Sequence, residues 1–200
     1  MNYLAHLCFA APDQASRIGN LLGDFCQGLD LQHFPADILD GLAQHRAIDR
    51  FTDSSSEVLQ AKLLFAPQRR RFAAVAIDML FDHLLIRHWD QFYSQPFADY
   101  KATLYQQLQQ DLPQMPARMR HTVSAIISQD WFAAYAQLDL LGQALDNIAS
   151  RIRFANQFAG SIDDIQQHYP ALNQLFLQFY PRLQQFVLTL PCQIAAKTPR

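Results

Sequence analysis

The sequence is short of glycine, with six among 200 residues, and β-branched residues are few outside small clusters. That shortage weighs against any sheet architecture. No apolar run approaches the length of a membrane span, so a transmembrane protein is not expected. The three cysteines, Cys8, Cys26 and Cys192, are an odd number without a CxxC spacing. They read as free thiols in a reducing compartment rather than as a disulfide framework. The opening MNYLAHLCFAA lacks the basic start of a secretory signal. An excess of positive charge is also missing: the formal net charge is −2, which argues against a generic nucleic-acid binder. A soluble cytoplasmic protein with no nucleic-acid partner is expected.

What is present is helical in character. Half the residues are apolar, and Ala, Leu, Gln and Phe dominate. The length suits one domain over residues 1–200, an all-α, compact helical bundle. In chain order, helices are expected over 2–10, 14–28 and 36–52. Ser54 and Glu57 have the spacing of a capping box for a helix reaching Leu64. Long helical patterns follow over 69–94, 97–110, 117–129, 131–137 and 138–158. After Gly160, Asp163 opens a helix to about His168. Pro170 then precedes another, kinked at Pro181, and the tail from Pro191 is expected to fray.

The chemistry is concentrated in the first 83 residues, where His6, Asp24, His45, Asp49, Asp78, Asp82 and His83 interrupt apolar stretches. Four residues on a helix drift only about 40° around its axis. His45, Asp49 and Asp53 therefore share one side, and so do Asp78 and Asp82. The segment carrying Asp78 and Asp82 is apolar on nearly every side, as buried helices are. An unpaired carboxylate is very costly to bury, so these need a partner. A divalent metal is one, since mixed His and carboxylate sets suit Mn²⁺, Fe²⁺, Mg²⁺ or Zn²⁺. Arginine is the other: Asp49 could pair with Arg46 or Arg50, and Asp82 with Arg87. A metal site would lower the pKa of a bound water and orient a phosphoryl oxygen, the chemistry of a phosphohydrolase such as a nucleotidase. Arginine pairing would leave a non-enzymatic helical binding module.

The pieces MNYLAHL, GNLLGDF, HRAIDRFTDSS and DMLFDHLLIRHW, in this order, resemble the acyl carrier protein phosphodiesterase family over essentially the whole chain. That family is regarded as a divergent branch of the HD-type metal-dependent phosphohydrolases, so the resemblance implies an HD-domain-like all-helical fold. It also implies hydrolysis of the phosphodiester that links 4′-phosphopantetheine to a serine of holo acyl carrier protein, with Mn²⁺ as the usual metal and Mg²⁺ or Fe²⁺ as alternatives. HD-type enzymes use an adjacent His-Asp pair, whereas here the order is reversed, Asp82-His83. On the resemblance, Asp24, His45, Asp49, Asp78 and Asp82 form the expected metal shell. His6 and His83 are further ligands or proton donors to the leaving serine oxygen. Carrier proteins are acidic, which makes the cluster Arg69, Arg70 and Arg71 the expected docking patch.

Overall fold

Most of the expected helical segments are helices in the structure. The computed structural model describes residues 1–190, and among them are eleven α-helices and no strand. They are α1 (Tyr3–Phe9), α2 (Gln14–Leu22), α3 (Ala36–Ser54), α4 (Ser56–Leu63), α5 (Ala73–Arg87), α6 (Trp89–Phe92), α7 (Phe97–Asp111), α8 (Ala117–Ser128), α9 (Trp131–Tyr135), α10 (Leu138–Arg151) and α11 (Ser161–Thr189). The tail from Pro191, with Cys192, lies outside the described residues.

Helix α5 is the axis of the packing. It touches α1, α4, α9, α10 and α11 and buries Ile77, Leu80, Phe81, Leu84 and Leu85 completely. Each such side chain contributes about 1.5–3 kcal/mol relative to exposure. Helices α2 and α3 cross at glycines. A Cβ on Gly19 would stand 2.2 Å from the Ile38 carbonyl oxygen and 2.7 Å from the Gly41 Cα. Only two bare backbones can approach this closely. The buried pair of Arg17 on α2 and Asp111 on α7, 2.7 Å from Nε to Oδ2, ties this corner to the rest of the bundle.

Several expected boundaries move. The two segments separated at Pro170 are one helix, α11, which runs through both Pro170 and Pro181. A proline inside a helix costs about 3 kcal/mol. The five fully buried residues Leu172, Phe176, Phe179, Tyr180 and Leu183, at about 1.5–3 kcal/mol each, outweigh two of them. The expected capping box does not form. Ser54 Oγ donates back to the Arg50 and Phe51 carbonyls, 2.8 and 3.1 Å, while Glu57 pairs with Arg182 of α11. Helix α10 ends at Arg151 rather than 158, because Asn156 Nδ2 folds back onto the Ala149 carbonyl at 3.3 Å and Phe158 is drawn into the core. The stretch 69–94 is divided into a 3₁₀ turn at Arg70–Phe72, α5 and α6.

Candidate metal centre

The centre is assembled where α1, α3 and the end of α2 meet. Helix α1 is short, and its first turn is capped from a distance: Asp82 on α5 accepts the Leu4 and Ala5 backbone N–H groups at 3.0 and 3.1 Å. This fixes α1 so that His6, fully buried, faces α3. From α3 come His45 and Asp49, one turn apart. From α2 comes the Asn20 carbonyl, which accepts the His45 Nδ1 proton at 2.7 Å.

Asp49 stands between the two histidines. Its Oδ1 is 3.1 Å from His6 Nε2 and its Oδ2 is 3.0 Å from His45 Nε2. The two imidazoles stack at 3.9 Å between centroids, 18° apart. One donor atom from each of the three residues lies within 4.8 Å of the others, close enough to share an ion. Two observations test whether they fit one. His6 Nδ1 is buried without a hydrogen-bond partner, and Nε2, which faces Asp49 Oδ1 at 3.1 Å, is not aligned for a hydrogen bond to it. A carbonyl only accepts, so His45 carries its proton on Nδ1 and a neutral His45 presents a bare Nε2 to a carboxylate oxygen. Lone pairs this close require a cation between them, either a proton or a metal. Two imidazoles and a carboxylate are donors suited to a divalent first-row ion.

The charge states follow from the packing. Burial, reinforced by His45 and the Met1 ammonium, holds His6 down at about 4. Burial also pulls on His45, but Asp49, Asp24 and the Asn20 carbonyl outweigh it and raise its affinity for a proton. Asp49 is held below the usual carboxylate range, since His45 and His6 overcome the desolvation that opposes them. Any metal entering here would displace the proton that His45 and Asp49 share.

The remaining expected residues are spread more widely. Asp78 accepts the Met1 ammonium at 2.8 Å, and the same ammonium is 3.9 Å from Asp49 Oδ1. Asp24, in the turn Gly23–Phe25, keeps an exposed surface. Desolvation by the surrounding protein, with Asp49 and Asp78 nearby, pushes its carboxyl up to about 6. Asp82 is buried and occupied by the α1 N–H groups. His83 is five residues from Asp78, about 140° around the helix, and the structure does not bring it to this group. Its Nδ1 meets the Tyr135 carbonyl at 2.7 Å and its Nε2 the Tyr169 hydroxyl at 2.9 Å. Asp53 pairs with Lys62. Among the described residues, neither Asp49 nor Asp82 forms an ion pair with an arginine. The Met1 ammonium and the Asn20 carbonyl are backbone groups, which no reading of side-chain types would single out.

Two of these buried groups titrate in opposite senses. Burial pushes Asp82 up to about 7 against the pull of the two N–H groups. An unfolded histidine binds its proton near about 6.5 and an unfolded aspartate near about 3.9. Between about 6.5 and about 4 the unfolded chain takes a proton that folded His6 refuses, so stability falls as pH falls. Between about 7 and about 3.9 folded Asp82 keeps a proton that the unfolded chain has lost, so stability rises as pH falls. In chelator-treated protein, His6→Asn should remove only the first effect. The melting temperature of this variant, relative to wild type, should climb as pH is lowered from 7 to 5. Parallel curves in a fluorescence melt would show that His6 is not neutral in the folded protein.

The arginine cluster is divided in its roles. Arg69 bonds the Ala159 carbonyl at 3.2 Å and pairs with Asp164 at 3.4 Å. Arg70 reaches the Leu63 and Phe65 carbonyls at 3.4 and 3.5 Å. Arg71 lies over the Phe154 ring at 5.0 Å and the Phe72 ring at 5.8 Å. Arg71, Phe72 and Phe154 line an open hollow of about 500 Å³ with Gln68, Asn156 and Gln157.

Comparison with known proteins adds a family. The family model described as acyl carrier protein phosphodiesterase matches residues 1–183. Relatives that carry the same name include the following three. One from an Enterobacter species is 38% identical over 184 residues, 92% of this chain and 95% of that protein. One from Yersinia pestis is 37% identical over 186 residues, 92% of this chain and 96% of the relative. One from Escherichia coli is 36% identical over 186 residues, with the same two shares. No solved structure matches the chain.

Proposed function

For this chain, which belongs to the acyl carrier protein phosphodiesterase family, we propose hydrolysis of the phosphodiester between 4′-phosphopantetheine and the serine of holo acyl carrier protein. Water adds to phosphorus, the bond from phosphorus to the serine oxygen breaks, and that oxygen takes up a proton. The products are apo carrier and 4′-phosphopantetheine. The observation that carries a metal-dependent reading is the convergence of two buried imidazoles on one carboxylate, with His6 Nε2 and His45 Nε2 at 3.1 and 3.0 Å from Asp49 and His6 Nδ1 without a partner. His6, His45 and Asp49 would hold the ion, with Mn²⁺ the first choice and Mg²⁺ or Fe²⁺ next. When bound, it supplies Lewis acidity toward phosphoryl oxygen and a water of lowered pKa.

The chain's own groups do the rest. The Asn20 carbonyl keeps the His45 proton on Nδ1, so that Nε2 faces inward. The Met1 ammonium holds Asp78 at the edge of the centre. Asp24, exposed and with its carboxyl at about 6, is the acid placed to return a proton to the serine oxygen. Asp82 acts through α1, whose first turn it holds. His83 anchors α5 to Tyr135 and Tyr169. The relation to HD-type enzymes is part of this proposal, with ligands drawn from two helices in place of an adjacent His-Asp pair. Arg71 lies in the 3₁₀ turn that leads into α5, the helix that carries Asp78. Arg69 and Arg70 are engaged within the fold, so Arg71, with Phe154 beside it, is the member of the triplet that meets the acidic carrier. No helix among the described residues is long and apolar enough to cross a membrane, and the free thiols Cys8 and Cys26 support a reaction in the reducing cytoplasm.

Incubation with holo carrier and Mn²⁺ should produce the apo mass and free phosphopantetheine by mass spectrometry. In the same assay Arg71→Glu should raise KM and flatten its dependence on salt while kcat holds, because exposed charges are screened over about 8–10 Å at physiological ionic strength. Turnover of free nucleotides with none of the carrier would favour a nucleotidase. No turnover and no bound metal would leave a binding module.

A further inference from the structure

Glycine at position 23 has no conformational reason to be there. Its φ and ψ are −53° and −39°, ordinary right-handed helix, where alanine is preferred over glycine. Its reason is spatial. A Cβ added at Gly23 would stand 2.1 Å from both Cδ2 and Nε2 of His45 and 2.6 Å from Cε1. No real side chain tolerates such distances, and the ring that would have to yield is 3% exposed and stacked on His6. One turn earlier on the same helix, the Asn20 carbonyl holds the other edge of that ring. Asn20 is itself fixed, its Nδ2 donating to the Ser16 carbonyl at 3.0 Å and to Gln44 Oε1 at 2.8 Å.

We infer that Gly23 is a positioning residue: its missing side chain is the space in which the His45 imidazole stands, and with the Asn20 carbonyl it aims Nε2 at Asp49. The inference rests on the metal-dependent reading for its consequence, but its geometry is independent of the substrate. The end of α2, which offers no side chain to the centre from Asn20 or Gly23, thus decides where the α3 histidine points. The glycine crossing at Gly19 and Gly41 brings the two helices close enough for this.

The test is a double-mutant cycle on the full chain. Gly23→Ala is made in wild type and in His45→Asn, a side chain that keeps a donor for the Asn20 carbonyl and lacks the far edge of the ring. Calorimetric titration with MnCl₂ should show binding to Gly23→Ala weakened at least about tenfold, the scale seen when a group that orients a metal ligand is lost. Gly23→Ala should lower the melting temperature in wild type, yet leave it unchanged or raise it in His45→Asn. An equal fall in both backgrounds overturns the inference, as does Mn²⁺ binding to Gly23→Ala as tight as to wild type. Should wild type itself bind no Mn²⁺, the metal-dependent function fails, and the two melting comparisons alone still decide the role of Gly23.

Discussion

Asp49→Asn should abolish Mn²⁺ binding and reduce turnover of holo carrier on the order of 10³-fold, an effect of about 4 kcal/mol at the transition state. The substitution is nearly isosteric. An asparagine amide can donate to one bare imidazole nitrogen, so helicity and melting temperature should stay near wild type. What disappears is the negative charge shared by His6 and His45 at 3.1 and 3.0 Å. Without it, an ion at this point would have two neutral imidazoles and no carboxylate to offset its desolvation. Calorimetry with MnCl₂ and the mass-spectrometric assay read the two losses separately. Activity within tenfold of wild type would remove Asp49 from the centre.

Asp82→Ala should instead act on the fold. Two backbone N–H groups of α1 would be left without a partner in the interior, at about 1–3 kcal/mol each. Relief from burying a carboxyl that is already raised to about 7 returns part of this. A net loss of roughly 2–3 kcal/mol corresponds to about 5–10 °C in melting temperature for a chain of this size. Turnover should fall with it, because α1 carries His6. Asp82→Asn keeps an acceptor for one of the two N–H groups and should lose about half as much, with Mn²⁺ binding retained. If Asp82 were a metal ligand, the pattern would invert: asparagine would keep the melting temperature and lose the metal.

The contrast between Asp49 and Asp82 shows what could be read from the chain. Both sit in i, i+4 pairs, and helical spacing correctly puts His45 beside Asp49 and Asp78 near Asp82. Spacing states which side chains share a face, but not what lies against that face. Across the face of α5 lies the first turn of α1, and its donors claim Asp82 while the Met1 ammonium claims Asp78. Backbone donors have no letter in the sequence. The all-helical class was legible because it depends on composition summed over many residues. The junctions at Pro170 and at 152–158 were not, because tertiary burial of Phe176 and Phe158 overrode the local signals.

The cap on α1 also has a consequence during synthesis. His6 leaves the ribosome well before α5, since the carboxylate that holds its helix lies 77 and 78 positions beyond the N–H groups it accepts. The emerging polypeptide therefore cannot complete the centre until α5 is outside the exit tunnel. Until then, two imidazoles and their future neighbours stay apart on an unfinished strand of protein.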